Sequence, residues 1–246
     1  MTKIKTSHRI ISLISTVFIL AAIGGVVYYF YPQIMKTFQK QTIIDISQGE
    51  VTKNTDTIDF EGLKAINPET VGWVSIKGTP LDYPVVQTDN NDYYLHHNFE
   101  KNSAIEGTVF LDTVCTKTTA RNDILYGHYM RDESMFGVLW QYQNEAYFKD
   151  HPLIQYDRPG DPGQWEIFSV YITDADYDYR QPEFANDDDF LSYMNRVKDR
   201  SIYDTGVVLN PTDSVLTLST CIYTFDNARL AIHARKINRV GGLMAV

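Results

Sequence analysis

The chain has 246 residues, 43% hydrophobic and 13% aromatic, with only two cysteines; that is enough for one sizeable core and too little cysteine for a disulfide scaffold. A formal net charge of −9, with no basic cluster outside the N-terminus, argues against nucleic acid as a partner.

Residues 10–31 read IISLISTVFILAAIGGVVYYFY without one charge. At 1.5 Å per residue such a helix is long enough to cross a hydrocarbon core of about 30 Å. Lys3, Lys5 and Arg9 precede it, so the positive-inside bias keeps residues 1–9 in the cytoplasm and sends everything after Pro32 outside. A cleaved signal peptide is the competing reading, but its apolar region usually spans only about 7 to 15 residues and ends in small residues. Here Ala21, Ala22, Gly24 and Gly25 lie inside the run. The expectation is a single-pass anchor over 10–31, a stalk with helical character over 32–58, and an extracellular domain over 59–246.

In that domain Asp59 is placed to cap a short helix through Ile66, which Asn67-Pro68 ends. Strand patterns follow at 71–76 and 81–87 around the turn Lys77-Gly78-Thr79-Pro80, then a helical turn from Asn90 through Leu95. Further strands are expected at 107–112, 123–126, 153–156, 164–173, 214–220 and 230–237. Two helical stretches interrupt them, 135–149, broken near Gln143-Asn144, and 187–199, whose acidic start suits a helix N-terminus. The reading is mainly β with accessory helices, an eight-stranded closed or nearly closed barrel. The second helix lies on a long excursion between Thr173 and Ser214, and structured excursions of that length are often functional.

Cys221 ends the strand Val215-Leu216-Thr217-Leu218-Ser219-Thr220-Cys221. A thiolate is a strong nucleophile, and a strand end exposes it to substrate if a base or cation stands nearby. A small buried hydrophobe, or a bridge to Cys115, is the bland alternative. Arg229 opens the next strand across a short loop, so antiparallel pairing brings it to Cys221, where a guanidinium can stabilise an oxyanion. His128 follows a strand and a glycine, an arrangement that presents a side chain above a barrel rim. His233 is a rival base, read here as structural. His96-His97 lack the spacing of a metal set. Asp174-x-Asp176-x-Asp178 lacks the glycine and distal glutamate of a calcium loop and reads as a solvated acidic loop.

The strings TLSTC (217–221) and YGHYM (126–130), with an arginine eight residues after the cysteine, resemble the signature of class B sortases, cysteine transpeptidases of Gram-positive cell surfaces. LDYPVVQ, YYLHHNF and GTVFLD resemble the class too, as does the helix of the excursion, so the resemblance covers nearly everything after the stalk. It implies that Cys221 is the nucleophile on the threonine carbonyl of a sorting signal, that His128 is the general acid and base, and that Arg229 holds the oxyanion. It further implies that Ser219, Asn91, Leu95, Thr173 and Tyr177 line the peptide groove, and that no cofactor or metal is needed. Ile222 is apolar where some members carry a polar residue, which leaves the signal open among NPxTx, SPxTG and LPxTG kinds. The implied partners are surface proteins bearing that signal, a peptidoglycan amine, and the membrane through the N-terminal helix. A pilin-polymerising enzyme and a non-catalytic peptide-binding barrel are the alternatives.

Overall fold

The computed structural model of the chain describes residues 24–31, 33–35, 37, 40, 41, 43, 58–115 and 120–237. The chain divides into two units, Met1–Thr57 and Ile58–Val246. In the first, the described residues are helical, and 24–31 are exposed. The expected span over 10–31 lies largely outside the described residues, and among those described no helix is long and apolar enough to cross a membrane.

The second unit begins with α1 (Phe60–Ile66), where Asp59 accepts the Gly62 N–H at 3.0 Å and Asn67 closes the helix. The expected strands form within two residues of their expected ends: β1 (Thr70–Ser75), β2 (Asp82–Val86), β3 (Val109–Leu111), β4 (Asn122–Tyr126), β5 (Leu153–Asp157), β6 (Gln164–Asp174), β7 (Val215–Cys221) and β8 (Ala228–Lys236). The stretch 135–149 differs from expectation. Its first part is a 3-10 helix, Gly137–Gln143, and only α2 (Glu145–Asp150) is an α-helix. Asn144 separates them because its side chain accepts the Ala146 N–H at 2.9 Å and so starts a new helix.

The strands close into a barrel in the order β1-β2-β3-β4-β7-β8-β6-β5, with β5 pairing back to β1. Two neighbouring pairs, β2 with β3 and β4 with β7, are parallel, and a parallel pair needs a long crossover. The crossover from β4 to β7 carries β5, β6, α2 and α3 (Asp187–Lys198).

Two cores result from the period-2 alternation of the strands. Leu216 and Leu218 of β7 point inward with Val74, Ile124, Trp165 and Ile232. Val215 points outward into a second core with Phe168, Tyr171 and Ala231, covered by Phe190, Tyr193, Met194 and Val197 of α3. Those four recur at helical spacing, so one face of α3 is buried, each side chain contributing roughly 1.5–3 kcal/mol. Arg121 fastens the start of α3, with its guanidinium 3.5 Å from the Phe190 ring centroid and Nη1 2.9 Å from Asp187.

Candidate active site

The parallel β4–β7 pair decides where the chemistry-bearing residues meet. Its register runs from Asn122 opposite Val215 to Tyr126 opposite Ser219. Thr220 Oγ1 donates to the Gly127 carbonyl at 2.7 Å, which continues that register one residue further. The next residues along the two chains, each one step past that contact, are His128 and Cys221. The loops beyond stay together, since the Tyr129 and Tyr223 rings meet edge to face at 5.5 Å.

On the other side of β7, Cys221 is the direct antiparallel partner of Arg229, and Arg229 is in turn the partner of Thr173 at the end of β6. Directly opposed side chains on one face of an antiparallel pair stand about 4.5–5.5 Å apart at Cβ. The end of β4, the end of β7, the start of β8 and the end of β6 thus form one rim with His128, Cys221, Arg229 and Thr173 in that order. Cys221 is exposed and free. The Arg229 guanidinium donates to the Asn227 and Ala228 carbonyls at 3.2 and 3.1 Å, contacts that hold it at the loop between β7 and β8. His128 Nε2 lies 2.8 Å from the Leu95 carbonyl oxygen.

A Sortase domain model matches residues 74–237. The chain is 35% identical to Sortase B of Listeria monocytogenes over 210 residues, 81% of this chain and 85% of that protein. The structure superposes on a cysteine-to-serine mutant form of Clostridium perfringens sortase B with a TM-score of 0.70 at 36% identity, covering 72% of this chain and 86% of that one. It superposes on a Staphylococcus aureus sortase B–substrate complex with a TM-score of 0.69 at 34% identity, covering 73% and 84%. The chain belongs to the class B sortases.

Membership in the sortases implies a cysteine transpeptidase. The expected groove residues are distributed unevenly around the rim. Ser219 shares the outward face with Cys221 and is buried, its Oγ 2.8 Å from the Tyr179 hydroxyl. Thr173 Oγ1 accepts from Arg200 Nη2 at 3.3 Å, and the same guanidinium stacks 4.0 Å from the Tyr177 ring centroid. Leu95 reaches His128 through its backbone carbonyl. Asn91 is tied elsewhere, donating to Asp112 Oδ1 at 2.7 Å and accepting the Thr113 N–H at 3.0 Å, while Asp112 Oδ2 accepts from the Tyr126 hydroxyl.

Tyr179 and Arg200 are site neighbours that the sequence reading missed. Burial raises the Tyr179 pKa, opposed by its bond to Ser219 and by the Arg180 and Arg229 charges, so it is a neutral phenol beside the sortase rim. Both lie on or beside the excursion, in segments without strand periodicity, so no local pattern pointed to them.

The rival chemistry of the sequence is accounted for by burial. Cys115 is buried with its Sγ 3.5 Å from the Asn122 carbonyl, and burial pushes its thiol up to about 12. Both cysteines are free, so no bridge joins them. His233 is completely buried, and burial lowers it to about 3. Thr217 gives its hydroxyl proton to Asn122 Oδ1, so it accepts from His233 Nδ1 at 2.9 Å; Nε2 then accepts from the Tyr171 hydroxyl at 2.9 Å. The acidic loop forms a turn in which Asp174 Oδ1 accepts the Asp176 N–H, while Asp178 faces Arg196 at 3.6 Å. Among the described residues no group of three or more His, Cys, Asp or Glu could hold a metal ion.

Proposed function

We propose that this sortase cleaves a C-terminal sorting signal after its threonine and transfers the protein to a peptidoglycan amine at the outer face of the membrane, with residues 10–31 as its anchor. The observation that supports this reading is the rim itself, where the exposed Cys221 pairs in register with Arg229 and His128 follows the strand that lies parallel to β7.

The proposed steps follow from those positions. The Cys221 thiolate attacks the threonine carbonyl carbon, and Arg229 donates to the oxygen as negative charge builds on it. The carbon–nitrogen bond breaks, His128 gives its proton to the leaving amine, and a thioester remains on Sγ. The acceptor amine attacks that thioester and loses its proton to His128, and the amide that forms releases Sγ as the thiolate. Transfer to an amine conserves the acyl bond, so neither nucleotide nor cofactor enters. Ser219, Thr173 and Tyr177, with Leu95 and Asn91 from the loop between β2 and β3, are the proposed walls of the peptide groove.

The test incubates the full chain with fluorescence-quenched pentapeptides of the NPxTx, SPxTG and LPxTG kinds, with and without an amine acceptor, beside Cys221→Ala. Cysteine-dependent cleavage with an acceptor-linked product is the expected result and names the signal. A product formed only with a lysine of a protein subunit would replace the wall acceptor by a pilin. A folded, thiol-reactive chain that cleaves nothing would overturn the catalytic reading.

A further inference from the structure

We propose that Tyr94 is a positioning residue for His128: it holds the turn that aims the Leu95 carbonyl at Nε2, so the neutral ring keeps its proton on Nε2 and presents Nδ1 to the amines. The inference rests on the acid–base role proposed for His128.

A carbonyl oxygen only accepts, so the 2.8 Å contact between Leu95 and His128 requires a proton on Nε2. A neutral imidazole has one ring proton, and the tautomer is set by the partner of the nitrogen that carries it. With Nε2 occupied, Nδ1 is left to give the proton that cleavage needs and to take it back when the acceptor attacks. The Nε2–H bond persists through both steps and is strengthened whenever the ring is cationic.

The carbonyl can choose the tautomer only if it is itself immobile, and the 3-10 turn Tyr93–Leu95 is held from several sides. Tyr94 is buried. Its hydroxyl donates to Glu69 Oε2 and accepts from Asn67 Nδ2 at 2.8 Å. The same Asn67 amide donates to the Phe99 carbonyl at 2.8 Å, and Lys101 lies 3.1 Å from Glu69. The Tyr94 carbonyl accepts the Thr108 N–H at 2.9 Å. Gly107, at φ +60°, lets that backbone come close: a Cβ there would stand 2.3 Å from the Tyr94 oxygen and 3.1 Å from the Leu95 oxygen. At the exposed start of the turn, Asn90 Oδ1 accepts the Asp92 and Tyr93 N–H groups at 3.0 and 2.7 Å.

These hydrogen bonds, buried on the Asn67 side and exposed on the Asn90 side, fix the backbone that carries the Leu95 carbonyl. The Leu95 side chain is only partly buried, whereas its carbonyl meets the His128 ring. Removing the Tyr94 hydroxyl leaves the ring and its packing in place but frees the turn, and a ring that spends time as the other tautomer loses catalytic competence in proportion.

The experiment is long-range 1H–15N correlation of the His128 ring in the 15N-labelled full chain, above the ring's titration. Cys221→Ala supplies the background, since without a thiolate nothing holds a second proton on the imidazole. The expected spectrum is that of the Nε2–H tautomer. Tyr94→Phe is expected to mix the tautomers and, with Cys221 present, to lower kcat about tenfold with KM within twofold. Asn90→Ala loosens the same turn from outside the core, so it serves if Tyr94→Phe fails to fold, and a smaller shift in the same direction is expected. An Nδ1–H spectrum, or variants that fold and leave both tautomer and kcat unchanged, would overturn the proposal. Inactivity of the unsubstituted chain with an Nε2–H ring would sink the acid–base reading and leave the ring geometry standing.

Discussion

His128 and His233 belong to the same barrel wall, one at its rim and one within the second core, and they are held in opposite ways. The rim ring has Nε2 on a backbone carbonyl and, among the described residues, no hydrogen bond on Nδ1. The buried ring gives Nδ1–H to Thr217 and receives the Tyr171 hydroxyl on Nε2. A histidine that exchanges protons with substrate needs one nitrogen fixed and one uncommitted. A histidine with both nitrogens committed in a dry core is a piece of architecture. The two cysteines repeat the contrast, Cys221 exposed at the position that pairs with Arg229 and Cys115 enclosed with an elevated pKa.

The contrast is broken most severely by His128→Ala, which is expected to cost ~10²–10⁴ in kcat/KM, the usual worth of a general acid–base group. The urea midpoint should barely change, because the side chain makes one hydrogen bond at the rim. A thiol reagent at pH 8 should alkylate Cys221 at least ~10³ times faster than Cys115, since a thiol with its pKa near 12 is almost entirely protonated there. Mass spectrometry of peptides from the folded chain reads the ratio, and comparable labelling of both would mean that the inner thiol is not enclosed.

His233→Ala should leave turnover per folded molecule close to normal while costing roughly 3 kcal/mol of stability, from the cavity and from the Tyr171 hydroxyl that loses its acceptor. Chemical denaturation and active-site titration separate the two effects. The pH dependence carries the same signature. His233 is lowered to about 3 in the folded chain and titrates near 6.5 when unfolded. Between those values the unfolded state binds the extra proton, so this contribution is full above pH ~6.5 and is lost progressively as the pH falls toward 3. The urea midpoint should drop between pH 7.5 and 5, and less steeply in His233→Gln.

The smallest effect is expected of Ser219→Ala, which removes the bond to Tyr179 and should raise KM a few-fold with about 1 kcal/mol or less of destabilisation. An unchanged KM would assign Ser219 to the second core alone.

The barrel was readable because each strand advertises itself locally. Leu216 and Leu218 alternate with Thr217 and Ser219, Asp59 marks a helix start, and Lys77-Gly78-Thr79-Pro80 marks a hairpin that the structure contains. The stretch 137–143 was less legible, because apolar spacing does not distinguish a 3-10 helix from an α-helix. Cys221 and Arg229 could be joined from sequence since they flank one short loop. His128 could not be joined to them by any local signal, for it lies two residues past the end of β4, a strand that pairs in parallel with β7 only after a crossover of more than eighty residues. The family motifs supplied what spacing did not.

The strands, the alternation that sorts their residues into two faces, and the kinds of side chain at the strand ends were set by the sequence alone, because those depend on contacts along the chain. The closure of the barrel, the parallel seating of β4 on β7, and the nitrogen of His128 that meets the Leu95 carbonyl were decided only in three dimensions. Each depends on partners far apart in the chain, and no local pattern encodes the geometry of a contact whose two halves are packed into place separately.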